Sequence, residues 1–404
     1  MKTMNGRRRA ESLPRASAGA ALLVMLLVVV LAVSAALIGS LAGNDPEIER
    51  QRRTFEALMQ AKQALIAWAM VRGDHDSDSN HRPGTLPCPD IQFFGSAESG
   101  NASGSCSASG GTSIGRIPWR SLGVDNAYGE MLWYVVGDGF RNPSQSKAAI
   151  NSDIKGTLRL YASDGVILVT PAGEELAAVI FASGPPLPGQ DRSNSSKVAS
   201  EYLEAFNGKN NASAAGPFIM GPIRDSAGNW VVNDLVVGLT VRELVSGLEW
   251  RALNEAQSAL KEYAEEHAGH YPNPAPFDAS DCTSTITDVT KSVTSCASGE
   301  AICYGRLPED ALSPYVASWF LQNGWGRVMI YAINDAGCAS TLNVDGEPKK
   351  YVLLASGAAR AGQSRPSTKL SDYLEDAANA DAWLGDPDFS VPSANSNDQL
   401  RAVP

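Results

Sequence analysis

The sequence predicts an α+β fold, in which an N-terminal transmembrane helix continues into an amphipathic helix and two repeated helix-plus-antiparallel-sheet units follow. Three observations support this prediction. An uncharged segment near the N-terminus is long enough to span a bilayer, an amphipathic pattern comes after it, and a set of short motifs occurs twice in the same order. Short strands that follow a single helix favour antiparallel pairing.

The uncharged segment is AALLVMLLVVVLAVSAALIGSLA, residues 20–42. As a helix rising about 1.5 Å per residue it covers roughly 35 Å, more than the roughly 30 Å hydrocarbon core of a bilayer. The leader before it, residues 1–19, is basic, whereas the acidic stretch NDPEIE follows it. Because basic flanks stay in the cytoplasm, we expect a single-pass membrane protein with its N-terminus in the cytoplasm and everything after Gly43 outside. A signal peptide cleaved within SLAG, so that Gly43 becomes the first residue, is the alternative.

The amphipathic pattern lies in EIERQRRTFEALMQAKQALIAWAMVRG, which comes after Pro46. Apolar residues recur there at spacings of three and four, which is typical of one face of a helix. The predicted face consists of Phe55, Leu58, Ala61, Leu65, Trp68 and Ala69.

Several motifs occur twice, and they divide the body into a first unit, residues 43–235, and a second unit, residues 236–404. Their fixed order and long period indicate a duplicated domain rather than a solenoid. The pairs are QAKQALIAWA and EAQSALKEYA, GRIP and GRLP, AYGEMLWYVV and GWGRVMIYAI, FASGPPLPGQDRS and LASGAARAGQSRPS, EYLE and DYLE, and ND with a second ND. The apolar runs predict strands near 129–136, 157–163, 166–171, 176–182, 326–334 and 350–355.

All six cysteines lie after the uncharged segment: Cys88, Cys106, Cys282, Cys296, Cys303 and Cys338. An even count in an exported body favours disulfides, and a zinc site is the weaker alternative because there is no Cys-x-x-Cys pair. We expect a Cys88–Cys106 bond. Of the three connectivities open to the other four cysteines, we favour Cys282–Cys296 with Cys303–Cys338.

The acidic composition argues against nucleic acid as a partner. The formal net charge is −11, and the clustered basic residues lie in the leader. Binding of backbone phosphates requires clustered Lys and Arg.

The sequence resembles type IV pilins and the pseudopilins of type II secretion. The leader, the uncharged segment and the helix-plus-sheet body carry the resemblance, and GWGRVMIYAI is similar to the Trp-Gly turn and Tyr-containing strand of major pseudopilins. The repeated unit, with LPCPD, GRIPW and YGEMLWY, resembles uncharacterised pilin-like proteins of Gram-negative bacteria. The resemblance implies a membrane-anchored structural subunit whose partners are other pilin or pseudopilin subunits and the inner membrane.

The resemblance also implies prepilin cleavage between Gly19 and Ala20. The family's usual fifth mature residue is Glu, which neutralises a neighbour's N-terminal amine, but here that residue is Val24. The residue before Gly19 is Ala18 rather than a basic residue. These departures favour a minor subunit used at the tip of a pilus or pseudopilus.

One acidic loop has the alternating oxygen ligands that calcium sites use. In GDHDSDSN these are Asp74, Asp76, Asp78 and Asn80. An EF-hand loop that began at Asp74 would need Gly and Glu where Ser79 and Thr85 stand. We therefore expect a solvated acidic loop, with a calcium site as the alternative and no other cofactor.

Two patterns have the residue spacing of catalytic or metal-binding sites. Ser144 and Lys147 have the spacing of a Ser/Lys nucleophile pair, but they lie in a polar loop whose repeat lacks them. His267 and His270 have ligand spacing at the end of a predicted helix, where a favourable interaction with the helix dipole is the preferred interpretation. We expect no enzyme. A solitary tethered periplasmic binding module and a membrane-anchored periplasmic hydrolase are the alternatives.

Overall fold

The computed structural model describes residues 46–72, 82–104, 106, 113–124, 132–141, 149–192, 198–275, 303–334, 341–367, 369–381 and 388–404. The chain divides into two compact units, residues 1–53 and 54–404. Several predicted features lie outside the described residues. They are the leader, the Gly19–Ala20 cleavage site, the Asp74–Asn80 loop, the Ser144/Lys147 pair, and Cys282, Cys296 and Cys338.

The predicted fold class is wrong. No helix within the described ranges is long and apolar enough to cross a membrane, and residues 20–42 lie outside those ranges. The structure is instead a mixed α/β fold with several antiparallel sheets. Its first described helix begins at Pro46 and carries charged residues on successive turns, among them Glu49 and Arg53. Such a helix is too polar for lipid because charged side chains in hydrocarbon are costly.

Two long helices, α1 (Pro46–Val71) and α3 (Val241–Glu266), dominate the described helical structure. The short helices are α2 (Trp119–Leu122), α4 (Glu309–Leu312), α5 (Ser318–Gln322) and α6 (Ala377–Asp381). The strands are β1 (Ser113–Arg116), β2 (Leu132–Val136), β3 (Leu160–Tyr161), β4 (Leu176–Ala182), β5 (Ala205–Phe206), β6 (Lys209–Asn210), β7 (Phe218–Ile219), β8 (Ile223–Arg224), β9 (Trp230–Val232), β10 (Leu235–Thr240), β11 (Tyr304–Arg306), β12 (Met329–Ile333), β13 (Asn343–Val344), β14 (Glu347–Pro348), β15 (Tyr351–Ala355), β16 (Asp388–Phe389) and β17 (Gln399–Val403).

Two four-stranded antiparallel sheets are assembled in the same way. The first sheet has the order β1-β2-β4-β10, and the second has the order β11-β12-β15-β17. Tyr134 of β2 lies opposite Ile180 of β4, and Tyr331 of β12 lies opposite Leu353 of β15. The motifs that occur twice in the sequence therefore occupy matching strands.

One apolar core joins the long helices and both sheets. It contains Leu65 of α1, Leu248 of α3, Tyr134 of the first sheet and Leu353 of the second, all buried. Helix α3 contacts β4 and β10 on one side and β15 and β17 on the other. The predicted face of α1 is only partly correct, because Leu65 is buried whereas Phe55 is 54% exposed.

The other face of the first sheet packs against a second apolar cluster. Trp133 and Phe181 point into it and meet Phe218 and Tyr202. Successive strand residues point to opposite faces, so a strand covered on both sides is apolar throughout. The strand predicted at 166–171 does not form, because Asp164 accepts hydrogen bonds from the Val166 and Ile167 amides and holds them in a turn.

The Gly-Arg dipeptides of the GRIP and GRLP motifs each lie close to a second backbone segment. Arg116 exchanges backbone hydrogen bonds with Asp90, and Arg306 exchanges them with Ala275. A Cβ atom on Gly305 would lie 2.1 Å from the Ala275 carbonyl oxygen, so only glycine fits there.

We expect Gly305→Ala to lower the free energy of unfolding by about 1–3 kcal/mol, because the backbone has to move apart to admit the methyl group. Urea unfolding would measure the change. Gly104→Ala is the control, since no atom lies within 4 Å of a Cβ built there. Equal stability of the two variants would contradict the close approach.

Candidate functional site

The loop after β4 folds around the side chain of Arg192. Its guanidinium donates to the carbonyl oxygens of Gly184 at 2.7 Å, Glu201 at 2.8 Å and Tyr202 at 3.1 Å. It also donates to Oε1 of Gln190 at 2.8 Å. The guanidinium lies over the Tyr202 ring, 4.8 Å from its centroid. One cation thus satisfies carbonyls at the start and the end of the loop.

The loop after β15 repeats this arrangement around Arg365. The guanidinium donates to the carbonyl oxygens of Gly357 at 2.7 Å and Tyr373 at 2.9 Å, and also to that of Asp372. It donates to Oε1 of Gln363 at 2.9 Å and lies 4.7 Å from the Tyr373 ring centroid. Every partner of Arg192 has its counterpart here at the matching position of the repeat.

A pair of carboxyl groups follows each arginine. In the first half of the chain, Glu204 accepts from Nε2 of Gln190 at 2.8 Å and from the Asn233 amide at 3.0 Å. Asp234 accepts from the Glu204 amide at 3.0 Å and from Nδ2 of Asn211 at 2.9 Å. The carboxyl groups therefore tie residue 204 to residues 233 and 234.

The second half contains the same pair. Glu375 accepts from Nε2 of Gln363 at 2.8 Å and from the Asn397 amide at 3.1 Å. Asp398 accepts from the Glu375 amide at 3.1 Å. We call Gln190, Arg192, Glu204, Asn233 and Asp234 the first polar frame. We call Gln363, Arg365, Glu375, Asn397 and Asp398 the second polar frame.

Each polar frame closes a stretch of chain that differs between the halves. The first frame joins the ends of residues 205–232, which contain the short strands β5 to β9. The second frame joins the ends of residues 376–396, which contain α6 and β16. The repeated residues thus hold the ends of segments that are not themselves repeated.

The aspartates of the frames have raised pKa values. Burial raises the pKa of Asp234 well above its usual range, and the neighbouring Glu204 raises it further. Burial raises the pKa of Asp398 to about 7, helped by the charge of Glu375. Oδ1 of each aspartate has no hydrogen-bond partner among the described residues. A proton on each pair relieves the repulsion between two close carboxyl groups.

The second frame also contacts a segment from the first half of the chain, and we call this contact the polar joint. Its centre is Glu249 of α3, which is 1% exposed. Glu249 accepts a short hydrogen bond from the Ser152 hydroxyl and another from Nε2 of Gln399 at 3.3 Å. Burial raises the pKa of Glu249 to about 8, although the Ser152 hydrogen bond and the Arg365 charge oppose the shift.

Neighbours of Ser152 complete the polar joint. Nδ2 of Asn151 donates to the carbonyl oxygens of Asn323 at 2.8 Å and Gly324 at 3.1 Å. The hydroxyl of Tyr373 donates to Asp153 at 3.4 Å. Burial raises the pKa of Asp153, against the opposing charges of Arg365 and Arg306. Residues 151–153 are therefore held by polar contacts with the second half of the chain.

Those residues singled out from the sequence that the structure describes do not converge on a reaction centre. Cys88 and Cys106 form the expected disulfide, and Cys303 is also disulfide-bonded. Nδ1 of His267 lies 2.8 Å from the Tyr263 carbonyl oxygen, and its ring stacks on the Tyr263 ring with centroids 3.8 Å apart. No group of three metal-ligating side chains occurs in the part of the chain that the structure describes.

The frame residues were not predicted from the sequence to form one site. A usable signal was present, because Gln-x-Arg, Leu-Glu and Asn-Asp recur in both halves in the same order. Polar residues that recur alongside a repeated apolar pattern are candidates for buried partners of one another. Glu249 and Ser152 of the polar joint carry no such signal, since neither belongs to a repeated motif.

Models of known protein families, curated proteins and solved structures give no match to this chain.

Arg365→Lys should lower the free energy of unfolding by about 3 kcal/mol, because an ammonium group cannot reach carbonyls on several sides and leaves buried oxygens unpaired. Arg192→Lys should act in the same direction. Chemical denaturation would measure both changes. Arg224→Lys is the matched control, since Arg224 donates to the Gly228 carbonyl oxygen from an exposed hairpin. If Arg224→Lys lowered the free energy of unfolding as much as Arg365→Lys, the role of Arg365 in holding the loop carbonyls would be refuted.

Proposed function

We propose that the protein is a structural subunit, of the minor pilin or pseudopilin kind, in a type IV pilus or type II secretion system. In this role it works by assembly and display rather than by turnover of a substrate. The proposal places it at the bacterial inner membrane with its body in the periplasm. It does not depend on a membrane-spanning helix.

The observation that carries the proposal is that the same polar frame is built twice. The side chains of the repeated motifs are used to hold backbone: Arg192 and Arg365 each bind loop carbonyls, and Glu204 and Glu375 each bind a backbone amide. A duplication that keeps these residues therefore copies the hydrogen bonds that support the backbone. The segments between the frame residues differ, which is expected of a framework that displays different surfaces.

Helix α1 supports the assembly role. It buries Leu58 and Leu65 against the sheets, while Phe55, one turn before Leu58, remains 54% exposed. The resemblance to pilin-type subunits implies assembly by packing of the N-terminal helices. An exposed aromatic ring on this helix suits packing against the helix of another subunit.

A photo-crosslinking amino acid placed at Phe55 tests the proposal in the native host. We expect an adduct with another pilin-type subunit, identified by mass spectrometry. The control position is Val391, which is 59% exposed in the second half of the chain. Adducts from Val391 alone, or capture of a soluble ligand protein at Phe55, would instead favour the binding module.

The N-terminus of the protein isolated from native membranes gives an independent test. Cleavage by a prepilin peptidase leaves Ala20 as the first residue, and this is the expected result. Gly43 would indicate a cleaved signal peptide. Met1 or Lys2 would indicate an uncut N-terminus, and the pilin hypothesis would then be abandoned.

A further inference from the structure

The polar joint contains more acid than its basic groups can neutralise. Burial and the charge of Asp398 raise the pKa of Glu249, and burial and the charge of Glu375 raise the pKa of Asp398. Arg365 is the cation that opposes the shifts of both Glu249 and Asp398. If these three carboxyl groups and Asp153 all ionised, Arg365 and Arg306 would face four negative charges in the protein interior. At least one proton must therefore be retained for the joint to stay closed.

The joint is also a place where residues from the two halves of the chain meet through polar atoms. The Ser152 hydroxyl donates to Glu249, the Ala359 amide donates to the Ser152 carbonyl at 3.3 Å, and Asn151 binds the backbone of Asn323. A protonated Glu249 still accepts from the Ser152 hydroxyl and from Nε2 of Gln399, and it does so without a buried charge. An ionised Glu249 is a buried charge with only partial compensation.

We propose that the polar joint is a proton-dependent lock between the two halves of the chain. The lock is closed while Glu249 and Asp398 carry protons, and it releases residues 151–153 when both ionise. Helix α1, β2 and the other parts of the apolar core stay folded in the released state. The proposal is independent of the assembly role argued above.

The direction of the pH effect follows from linkage. Carboxyl groups whose pKa is raised in the folded state bind protons more tightly there than in the unfolded chain. Their stabilisation is complete below the unfolded pKa of about 4. It is lost as the pH rises through the folded pKa values of Asp398 and Glu249, about 7 and about 8.

Hydrogen exchange of the whole protein, read out by mass spectrometry between pH 6 and pH 9, tests the lock. After correction for the intrinsic rate, we expect protection of the amides of residues 150–154 to fall by about tenfold or more, the change that one pKa unit produces. Protection of β2 should change much less. Glu249→Gln and Asp398→Asn should each flatten the profile of residues 150–154. Glu262→Gln, an exposed position on the same helix, should leave it unchanged.

Two results would overturn the lock. One is an equal loss of protection in β2 and in residues 150–154, which indicates global destabilisation. The other is a wild-type pH profile that persists in Glu249→Gln. If either variant fails to fold, infrared spectroscopy of the wild-type protein decides the matter. A protonated-carboxyl band that is lost between pH 6 and pH 9 and is weaker in whichever of the two variants folds supports the lock, and a band that is absent at pH 6 or unchanged in that variant rules it out.

Discussion

Helix α3 has to be buried on two sides at once, and the arrangement of both sheets depends on this constraint. Its buried residues include Leu244, Leu248 and Leu253, and they spread around more of the helix than a single face would require. Small residues allow the close approach: a Cβ on Gly247 would lie 2.7 Å from the sulfur of Met70 in α1. A helix buried in this way leaves little room for polar side chains, which makes the buried Glu249 an exception that needs partners.

The polar groups of the interior are placed where apolar packing cannot hold the chain. Loops leave the ends of β4 and β15 with carbonyl groups that no strand neighbour satisfies, and Arg192 and Arg365 supply donors for them. The carboxyl pairs then hold the returning chain beside its starting point. Hydrogen bonds of this kind contribute little net stability individually, but their loss leaves buried groups unpaired, so they specify one loop conformation strongly.

Some of this arrangement was predictable from the sequence and some was not. The apolar runs LWYVV and MIYAI lie on strands β2 and β12 because such runs match strands covered on both faces. The Cys88–Cys106 bond was predictable from the short loop between the two cysteines. The predicted fold class was wrong. It depended on a membrane-spanning helix at residues 20–42, and the described helix that follows them is strongly charged. The position of Glu249 opposite Ser152 depends on how two distant segments dock, which no local pattern encodes.

The direct join between β10 and α3 has a mechanical consequence. Strand β10 ends at Thr240 and helix α3 begins at Val241, and the Thr240 hydroxyl and the Glu243 carboxylate cap the helix reciprocally. No flexible linker separates the edge of the first sheet from the helix that supports the second. A force applied along the chain at this point therefore loads the hydrogen bonds between β10 and β4 in shear. This geometry resists the force because many hydrogen bonds must break together.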